Sequence, residues 1–347
     1  MADVTMPIGV GINGFGDIGQ SVLFSSFTDP LVNVVAINDA SMNIEYMAYL
    51  LRHESPLSVE EKSSVVVVGE YICIHGNRKI RVTQKHDLAE IGWHDAGVIY
   101  VLECTGLNST QERCWGHITG GAHGVIIAGQ SADAPTVVLG VNEMNMKKTH
   151  PVVCAGSPIA VALAPLIRIL HEQYMIDECS YTALHGIQKG DSVMGKSKNP
   201  QEWRQKRSAL DAIIPCTQTG KKTMEKIMPT LAEYISGSAF QVPVVKGCAI
   251  DMIVRFAQPV SKEVLDTTLK EAASGRLSEA LLYSEEDLIN RDCLPNGKLY
   301  YDAISSQCLR DGSAHKLLLW FDIEGSYAKR ILSLVPFLQK LGVNNEM

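Results

Sequence analysis

The chain has 347 residues, a length that predicts two domains or one large one. Hydrophobic residues make up 46% and charged residues 20%, which excludes a mainly disordered chain. The net charge of -7 argues against nucleic acid or an anionic membrane as a partner. There is no apolar run long enough to predict a membrane-spanning helix, and the opening MADVTMPIGVGING has no cationic segment typical of a signal peptide. We therefore expect a cytoplasmic protein.

The nine cysteines are odd in number, widely spread and without a CxxC pair. This pattern argues against a disulfide framework and a zinc ribbon, and the histidines show no metal-ligand spacing, so no metal is expected. We expect most of the thiols to be buried and to pack as small hydrophobic groups.

Strands and helices alternate in the first half of the chain, which predicts a doubly wound parallel sheet. The predicted strands are 7–12, 31–37, 98–102, 125–128 and 136–139, the helices are 18–27 and 43–52, and a hairpin covers 65–74.

Beyond residue 150 strands dominate, which predicts an α+β domain with an antiparallel sheet. The expected strands are 179–184, 238–245, 248–256 and 316–322, and the helices are 159–174, 261–273 and 325–338. Residues 189–207 are polar and lack either period, so they predict a long loop of the kind that lines sites or contacts.

Gly14-Phe15-Gly16-Asp17-Ile18-Gly19 fits the G-x-G-x-x-G pattern. It follows an apolar strand and opens a helix, which is the context that a dinucleotide-binding turn requires. Asp39 follows Gly19 by 20 residues, where a carboxylate would bond the adenosine ribose and favour NAD over NADP.

With these motifs the sequence resembles the glyceraldehyde-3-phosphate dehydrogenase family along nearly its whole length. The blocks that carry the resemblance are VGINGFGDIG, AINDASMNIEYMAYLL, ECTG at 103–106, SADAP at 131–135, GVN at 140–142, LAPL at 163–166, LHGI at 184–187, AIIP at 212–215, SGSAFQVPV at 236–244 and LWFDIEGSYAKRI at 319–331. The resemblance implies a Rossmann NAD-binding domain over 1–155, a catalytic-type domain with an S-shaped loop over 156–322, and a C-terminal helix over 323–347 that returns to the first domain. It also implies a homotetramer. The cofactor positions that it implies are Asn13, Gly14, Phe15, Gly16, Ile18, Gly19, Asp39, Thr105 and Gly106.

The family needs a cysteine nucleophile five residues before LAPL, and this position is Pro158. Counting 27 residues onward gives His185, the retained position of the family's base. Proline has no nucleophile but suits the first position of a helix, with Ser157 as N-cap. Cys154 is expected to be a buried thiol, and Ser157 is a poor replacement because an alkoxide forms less readily than a thiolate.

Other family positions are changed as well. The asparagine that holds the nicotinamide amide corresponds to Ile323, and the arginine that binds substrate phosphate corresponds to Gln241. The threonine three residues after the histidine corresponds to Gln188, whereas Arg207 is retained and could meet an anion. Asp17 replaces the family's arginine beside the expected pyrophosphate, which weakens the case for tight NAD binding.

The combined changes predict a family member without phosphorylating dehydrogenase activity, which binds NAD weakly and has a scaffold or regulatory role, for example in mixed tetramers with active paralogues. The alternative is an NAD-dependent oxidoreductase that acts on an aldehyde such as glyceraldehyde 3-phosphate in glycolysis, with His185 as base. A third hypothesis is a binding module that acts through the 189–207 loop, in which residues 196–207 include five cations. A thiol beside His185 that faces the nicotinamide pocket would contradict the inactive interpretation.

Overall fold

The computed structural model describes residues 6–76, 78–187, 203–204, 207–216 and 219–343. The chain divides into two compact units. The first unit contains the chain up to Val137, then Met144–Gly156, and the described residues from Ala328 onward. The second unit contains Val138–Glu143 and Ser157–Tyr327.

The first unit is built on an eight-stranded sheet with the order β3-β4-β5-β2-β1-β6-β7-β8. Its strands are β1 Ile8–Asn13, β2 Val32–Asn38, β3 Val66–Val68, β4 Tyr71–Ile74, β5 Arg78–Thr83, β6 Tyr100–Glu103, β7 Gly124–Ile127 and β8 Val152–Cys154. The pairs from β5 to β8 are parallel, whereas β3, β4 and β5 pair in antiparallel fashion at one edge. The central strands β1, β6 and β7 are buried except for Ile8 at the start of β1, as expected for a parallel sheet that is covered on both faces.

Four helices precede or connect these strands: α1 Asp17–Ser26, α2 Ile44–His53, α3 Val59–Ser64 and α4 Gln111–Thr119. Polar residues fix where three of them begin. Asn43, Ser58 and Thr110 each accept a hydrogen bond from a backbone N–H in the first turn of the helix that follows. Helix α1 instead begins after Gly16, with no side-chain cap.

The second unit contains a seven-stranded sheet with the order β10-β11-β9-β12-β15-β14-β13. Its strands are β9 Ile176–His185, β10 Ile214–Pro215, β11 Ile235–Gln241, β12 Cys248–Phe256, β13 Leu281–Ser284, β14 Leu299–Leu309 and β15 Ala314–Phe321. Its pairing is mostly antiparallel, but β11 runs parallel to β9 and β13 runs parallel to β14. The sheet is therefore mixed.

The remaining helices are α5 Pro158–Tyr174, α6 Thr219–Ile227, α7 Lys262–Ser274 and α8 Ile323–Leu341. Helix α5 is buried along most of its length, which explains its nearly continuous apolar sequence. The end of α8 lies in the first unit, where the Tyr100 hydroxyl donates a hydrogen bond of 2.9 Å to the Val343 carbonyl.

The predicted fold class is confirmed: a Rossmann-like doubly wound sheet is followed by an α+β unit. The predicted strand at 136–139 is wrong. Only Thr136 forms a bridge, to Cys154, and the chain then turns because the N–H groups of Val141 and Asn142 both bond to the Val138 carbonyl. Most of the loop predicted at 189–207 lies outside the described residues.

Candidate functional site

At two positions of the glycine turn after β1, the backbone leaves no room for a Cβ atom. Gly14 adopts φ of 95°, and a Cβ placed there would lie 2.8 Å from the backbone nitrogen of Thr105. A Cβ on Gly19 would lie 2.1 Å from the Gly14 carbonyl oxygen, so this glycine allows α1 to pack on the turn. A Cβ on Gly16, by contrast, would meet nothing within 4 Å. The turn thus leaves open space at the N-terminus of α1, where backbone N–H groups favour an anion.

Asp39, which follows β2, is tied to this turn. Its Oδ2 accepts a hydrogen bond of 2.8 Å from the N–H of buried Phe15, while Oδ1 accepts from Ser41 and from the N–H of Met42. Burial alone would raise the pKa of Asp39, but these hydrogen bonds outweigh it and hold the pKa below its usual value. Asp39 is therefore a carboxylate at neutral pH and orders the glycine turn.

Glu103, at the end of β6, is a second buried acid of this unit and is 1% exposed. Its carboxylate accepts hydrogen bonds from Asn13 Nδ2 at 2.6 Å, from Asn108 Nδ2 at 3.1 Å, and from the N–H and hydroxyl of Thr105. His117 Nε2 lies 2.9 Å from the same carboxylate. The network joins the ends of β1 and β6, and so fixes two of the predicted cofactor positions, Asn13 and Thr105.

The remaining predicted cofactor positions belong to the same region of the first unit. Gly106 has φ of 71° and extends the turn that begins at Thr105, and Ile18 is half-buried in the first turn of α1. The open space at Gly16, the free approach to the N-terminus of α1 and the charged Asp39 at the end of β2 together fit a dinucleotide. The structure thus brings these sequence-predicted residues together. Asp17, the acidic residue expected beside the pyrophosphate, lies in the first turn of α1.

In the second unit, Pro158 is the first residue of α5, as the sequence predicts. The Ser157 hydroxyl caps the helix by accepting a hydrogen bond of 3.3 Å from the N–H of Ala160. The Ser157 N–H donates to Thr223 Oγ1 at 3.1 Å, and the residue is 2% exposed. Cys154 is fully buried in the first unit, where its Sγ lies 3.1 Å from Thr136 Oγ1. A capped helix start therefore occupies the position that the resemblance assigns to the nucleophile.

A thiol nevertheless lies beside His185, and it belongs to Cys216. The Cys216 Sγ is 3.2 Å from His185 Nε2, and the imidazole Nδ1 is 3.1 Å from the Gly186 carbonyl oxygen. The sequence gives one signal for this contact, because Cys216 directly follows the AIIP block. The expectation that most thiols are buried is wrong, since four cysteines are buried and five, including Cys216, are half-buried.

Two of the other predicted positions, Gln241 and Ile323, lie near the end of β9. Gln241 pairs in register with His185 and is buried, at 5% exposure. Ile323 is also buried, and it lines a shallow pocket together with Gly186, which follows His185. Arg207 lies in an exposed turn, with its N–H bonded to the Arg204 carbonyl. Gln188 lies outside the described residues.

The described part of the chain contains no group of three or more acidic, histidine or cysteine side chains arranged to hold a metal ion. It also contains no helix with both the length and the apolar character needed to cross a bilayer.

The fold and the glycine turn define a two-domain protein with a Rossmann-type NAD-binding domain. Comparison with known proteins gives the family. Residues 8–111 match the family described as "Glyceraldehyde 3-phosphate dehydrogenase, NAD binding domain", and residues 159–323 match the C-terminal domain of the same family. The chain therefore belongs to the glyceraldehyde-3-phosphate dehydrogenase family and carries its NAD-binding domain.

Named relatives match almost end to end. The cytosolic glyceraldehyde-3-phosphate dehydrogenase of Gracilaria gracilis is 36% identical over 340 residues, which cover 96% of this chain and 98% of the relative. Glyceraldehyde-3-phosphate dehydrogenase 1 of Schizosaccharomyces pombe is 35% identical over 330 residues, covering 94% and 97%. Glyceraldehyde-3-phosphate dehydrogenase B of Aspergillus oryzae is 33% identical over 333 residues, covering 96% and 98%.

Proposed function

We propose that this NAD-binding protein does not catalyse the phosphorylating oxidation of glyceraldehyde 3-phosphate. The observation that carries the proposal is Pro158 at the first position of α5. A thioester mechanism requires a side-chain sulfur that attacks the aldehyde carbon, and the pyrrolidine ring has neither a nucleophilic atom nor a proton to give up. The helix start that would activate a thiol has become a purely structural one.

Ser157 does not replace the missing thiol. It is almost completely buried, its hydroxyl oxygen accepts the Ala160 N–H, and its own N–H is bonded to Thr223. A serine hydroxyl used as an N-cap is held toward the helix backbone, and its alkoxide is far harder to form than a thiolate.

The positions expected to hold the reactants are also changed in ways that weaken binding. Ile323 presents a buried hydrocarbon where an amide would bond the nicotinamide, and Gln241 presents a neutral side chain where a guanidinium would bind phosphate. An amide cannot supply the charged two-pronged contact of arginine with a phosphate. Loss of the nucleophile together with both anchors supports loss of the reaction rather than a change of one substrate.

The role that fits these changes is scaffolding or regulation by a cytoplasmic protein that keeps the family fold. Residues 1–155 would bind NAD, 156–322 would form the catalytic-type domain, and 323–347 would return to the first domain. NAD would supply a hydride acceptor when bound. Here Gly14, Gly16, Gly19 and Asp39 would only hold the dinucleotide. In a homotetramer, or in a mixed tetramer with active paralogues, NAD binding to this chain would influence the other subunits.

The direct test measures NADH formation by the purified protein with glyceraldehyde 3-phosphate, NAD and phosphate. Glyceraldehyde-3-phosphate dehydrogenase 1 of Schizosaccharomyces pombe, prepared in the same way, serves as the positive control. We expect no NADH above the enzyme-free rate, and turnover comparable to that of the control would overturn the proposal. Native mass spectrometry of the protein mixed with an active paralogue tests the scaffold role, for which tetramers containing both chains are expected.

The contact between His185 and Cys216 favours a second candidate, NAD-dependent oxidation of an aldehyde with His185 as the base. The Nδ1 contact with the Gly186 carbonyl leaves Nε2 able to accept a proton. NADH formation on a panel of aldehydes and alcohols, abolished in His185→Ala, would support this candidate over the first.

A further inference from the structure

A thiol and an imidazole meet in the second sheet, and neither residue belongs to the helix start at Pro158. Cys216 directly follows β10, and its backbone N–H donates a 2.9 Å hydrogen bond to the Ala239 carbonyl of β11. His185 is the last residue of β9, which runs parallel to β11. Both backbones are thus held by the sheet, and the distance of 3.2 Å between Sγ and Nε2 is set by strand pairing.

The neighbouring carbonyl defines where the protons lie. A carbonyl oxygen only accepts hydrogen bonds, so the contact between His185 Nδ1 and the Gly186 oxygen requires the proton on Nδ1. Nε2 then carries the lone pair and is an acceptor for the proton of the Cys216 thiol, as is the Ile214 carbonyl oxygen at 3.5 Å from Sγ. Gly186 itself is held in place, because its N–H bonds to the Gly247 carbonyl and a Cβ on it would lie 2.5 Å from the Val244 oxygen. The imidazole is therefore oriented as a base toward the sulfur.

Cys216 is more exposed than the thiols of β9 and β12. Cys179 and Cys248 are buried, and burial raises the pKa of each to about 12, so they stay protonated and inert. Cys216 is half-buried, so part of the residue is open to solvent. The residues that pair with His185 in the sheet, Gln241 and Cys248, carry no charge at neutral pH, and the pocket at Gly186 is lined by side chains of both charges, so neither favours an ion of one sign.

We propose that Cys216 and His185 form a nucleophile–base pair that binds small, uncharged conjugated carbonyl compounds covalently. The thiol proton passes to His185 Nε2 while the sulfur forms a bond to the electron-poor β-carbon, and the π electrons move toward the carbonyl oxygen. His185 then returns the proton to the α-carbon. The addition has no leaving group and consumes no oxidant or reductant, so the two residues suffice for it.

N-ethylmaleimide is the probe, because it is a small, uncharged conjugated carbonyl compound. The full-length protein is treated with limiting reagent at pH 7, and the rate at each cysteine is read by peptide mass spectrometry. Cys73 is the internal standard, since it is also half-buried and forms no hydrogen bond with an imidazole among the described residues. We expect Cys216 to react at least about tenfold faster than Cys73.

Substitution of the base tests its role. His185→Asn should lower the rate at Cys216 by about tenfold and leave the rate at Cys73 unchanged, because the amide cannot take up the proton. The exposed His123→Asn is the matched control and should change neither rate. Cys216→Ser should remove the fast phase altogether.

Equal rates at Cys216 and Cys73 in the wild-type protein would overturn the proposal, and this comparison requires no variant to fold. An unchanged rate at Cys216 in a folded His185→Asn variant would overturn it as well. Because labelling needs neither NAD nor turnover, its failure would leave the proposed loss of dehydrogenase activity standing. Dehydrogenase turnover by a protein whose Cys216 reacts fast would instead overturn the proposed loss of activity and leave the nucleophile–base pair standing.

Discussion

His117 Nε2 lies 2.9 Å from the carboxylate of Glu103, and both residues are completely buried in the first unit. The opposite ring nitrogen, Nδ1, accepts a 3.0 Å hydrogen bond from the indole N–H of Trp93. Since the indole can only donate, the proton of His117 lies on Nε2 and is directed at Glu103. The imidazole thus donates a hydrogen bond that stabilises a buried carboxylate next to the glycine turn.

This network makes stability depend on pH. Burial alone raises the pKa of Glu103, but hydrogen bonds from His117, Thr105 and Asn13 outweigh it and hold the pKa below the usual 4.5. The unfolded chain therefore takes up this proton at a higher pH than the native protein does. The stabilisation is fully present above about pH 4.5. It is lost as the pH falls through the lowered pKa of the native state. Urea unfolding between pH 6 and about pH 3 should show this decline.

The corresponding variant is Glu103→Gln. Its amide NH₂ faces groups that already donate, so we expect a loss of about 1–3 kcal/mol in the free energy of unfolding at pH 7. Its stability should also fall less steeply in acid than that of the wild-type protein. Glu112→Gln, on the exposed face of α4, is the control, and equal acid profiles for all three proteins would contradict the assignment.

NAD binding can be separated from folding at two glycines of the same turn. Gly16→Ala adds a methyl group that meets no protein atom within 4 Å, so the melting temperature should be retained. The methyl group would, however, occupy the approach of the pyrophosphate and should weaken NAD binding by at least about tenfold in calorimetry. Gly19→Ala should instead lower the melting temperature, because its Cβ would lie 2.1 Å from the Gly14 carbonyl oxygen. Unchanged affinity in Gly16→Ala would place the dinucleotide elsewhere.

Ser157→Ala tests the structural role of the residue before Pro158. It removes the acceptor for the Ala160 N–H and should cost about 1 kcal/mol in the free energy of unfolding. Ser157→Gly should retain more of the stability, because glycine is tolerated at an N-cap and needs no additional space at this buried position. Urea unfolding gives both values. A loss of any catalytic activity in Ser157→Ala, without a loss of stability, would argue for a nucleophilic serine.

The altered family positions predict how activity could return. Pro158→Cys alone should give little NADH from glyceraldehyde 3-phosphate, because Ile323 and Gln241 still offer no amide or guanidinium. Adding Gln241→Arg and Ile323→Asn should raise the rate at least about tenfold above that of the single variant. Each restored charged or amide contact should stabilise the bound reactants enough to account for a change of this size. A fully active single variant would show that only the nucleophile had been lost.

Local chemistry explains which features the sequence predicts well. The turn at Gly14–Gly19 and the start of α5 after Ser157 are each set by a few consecutive residues, since glycines are needed where a Cβ would collide and a cap must precede its helix. The strand prediction at 136–139 failed because an apolar run does not by itself determine the backbone conformation. Here the hydrogen bonds to the Val138 carbonyl turn the chain.

The contact between His185 and Cys216 could not be predicted from a few consecutive residues. The residues are 31 positions apart, and they meet only because β11 lies parallel to β9 and also pairs with β10. Parallel pairing depends on contacts that are distant along the chain, for which a single sequence gives no register. The same applies to Trp93 and His117, which are joined through the packing of α4.

The first unit includes the segment from Ala328 onward, which the ribosome makes long after the strands of that unit. Ile331, Leu332, Val335 and Leu338 of α8 are fully buried, and the Val343 carbonyl accepts the hydroxyl proton of Tyr100. The ribosome makes these residues well after the eight strands of the first unit, so the nascent unit lacks apolar residues that are buried in the native protein. A nonsense mutation just before α8 would therefore yield an aggregation-prone product rather than a shortened working protein.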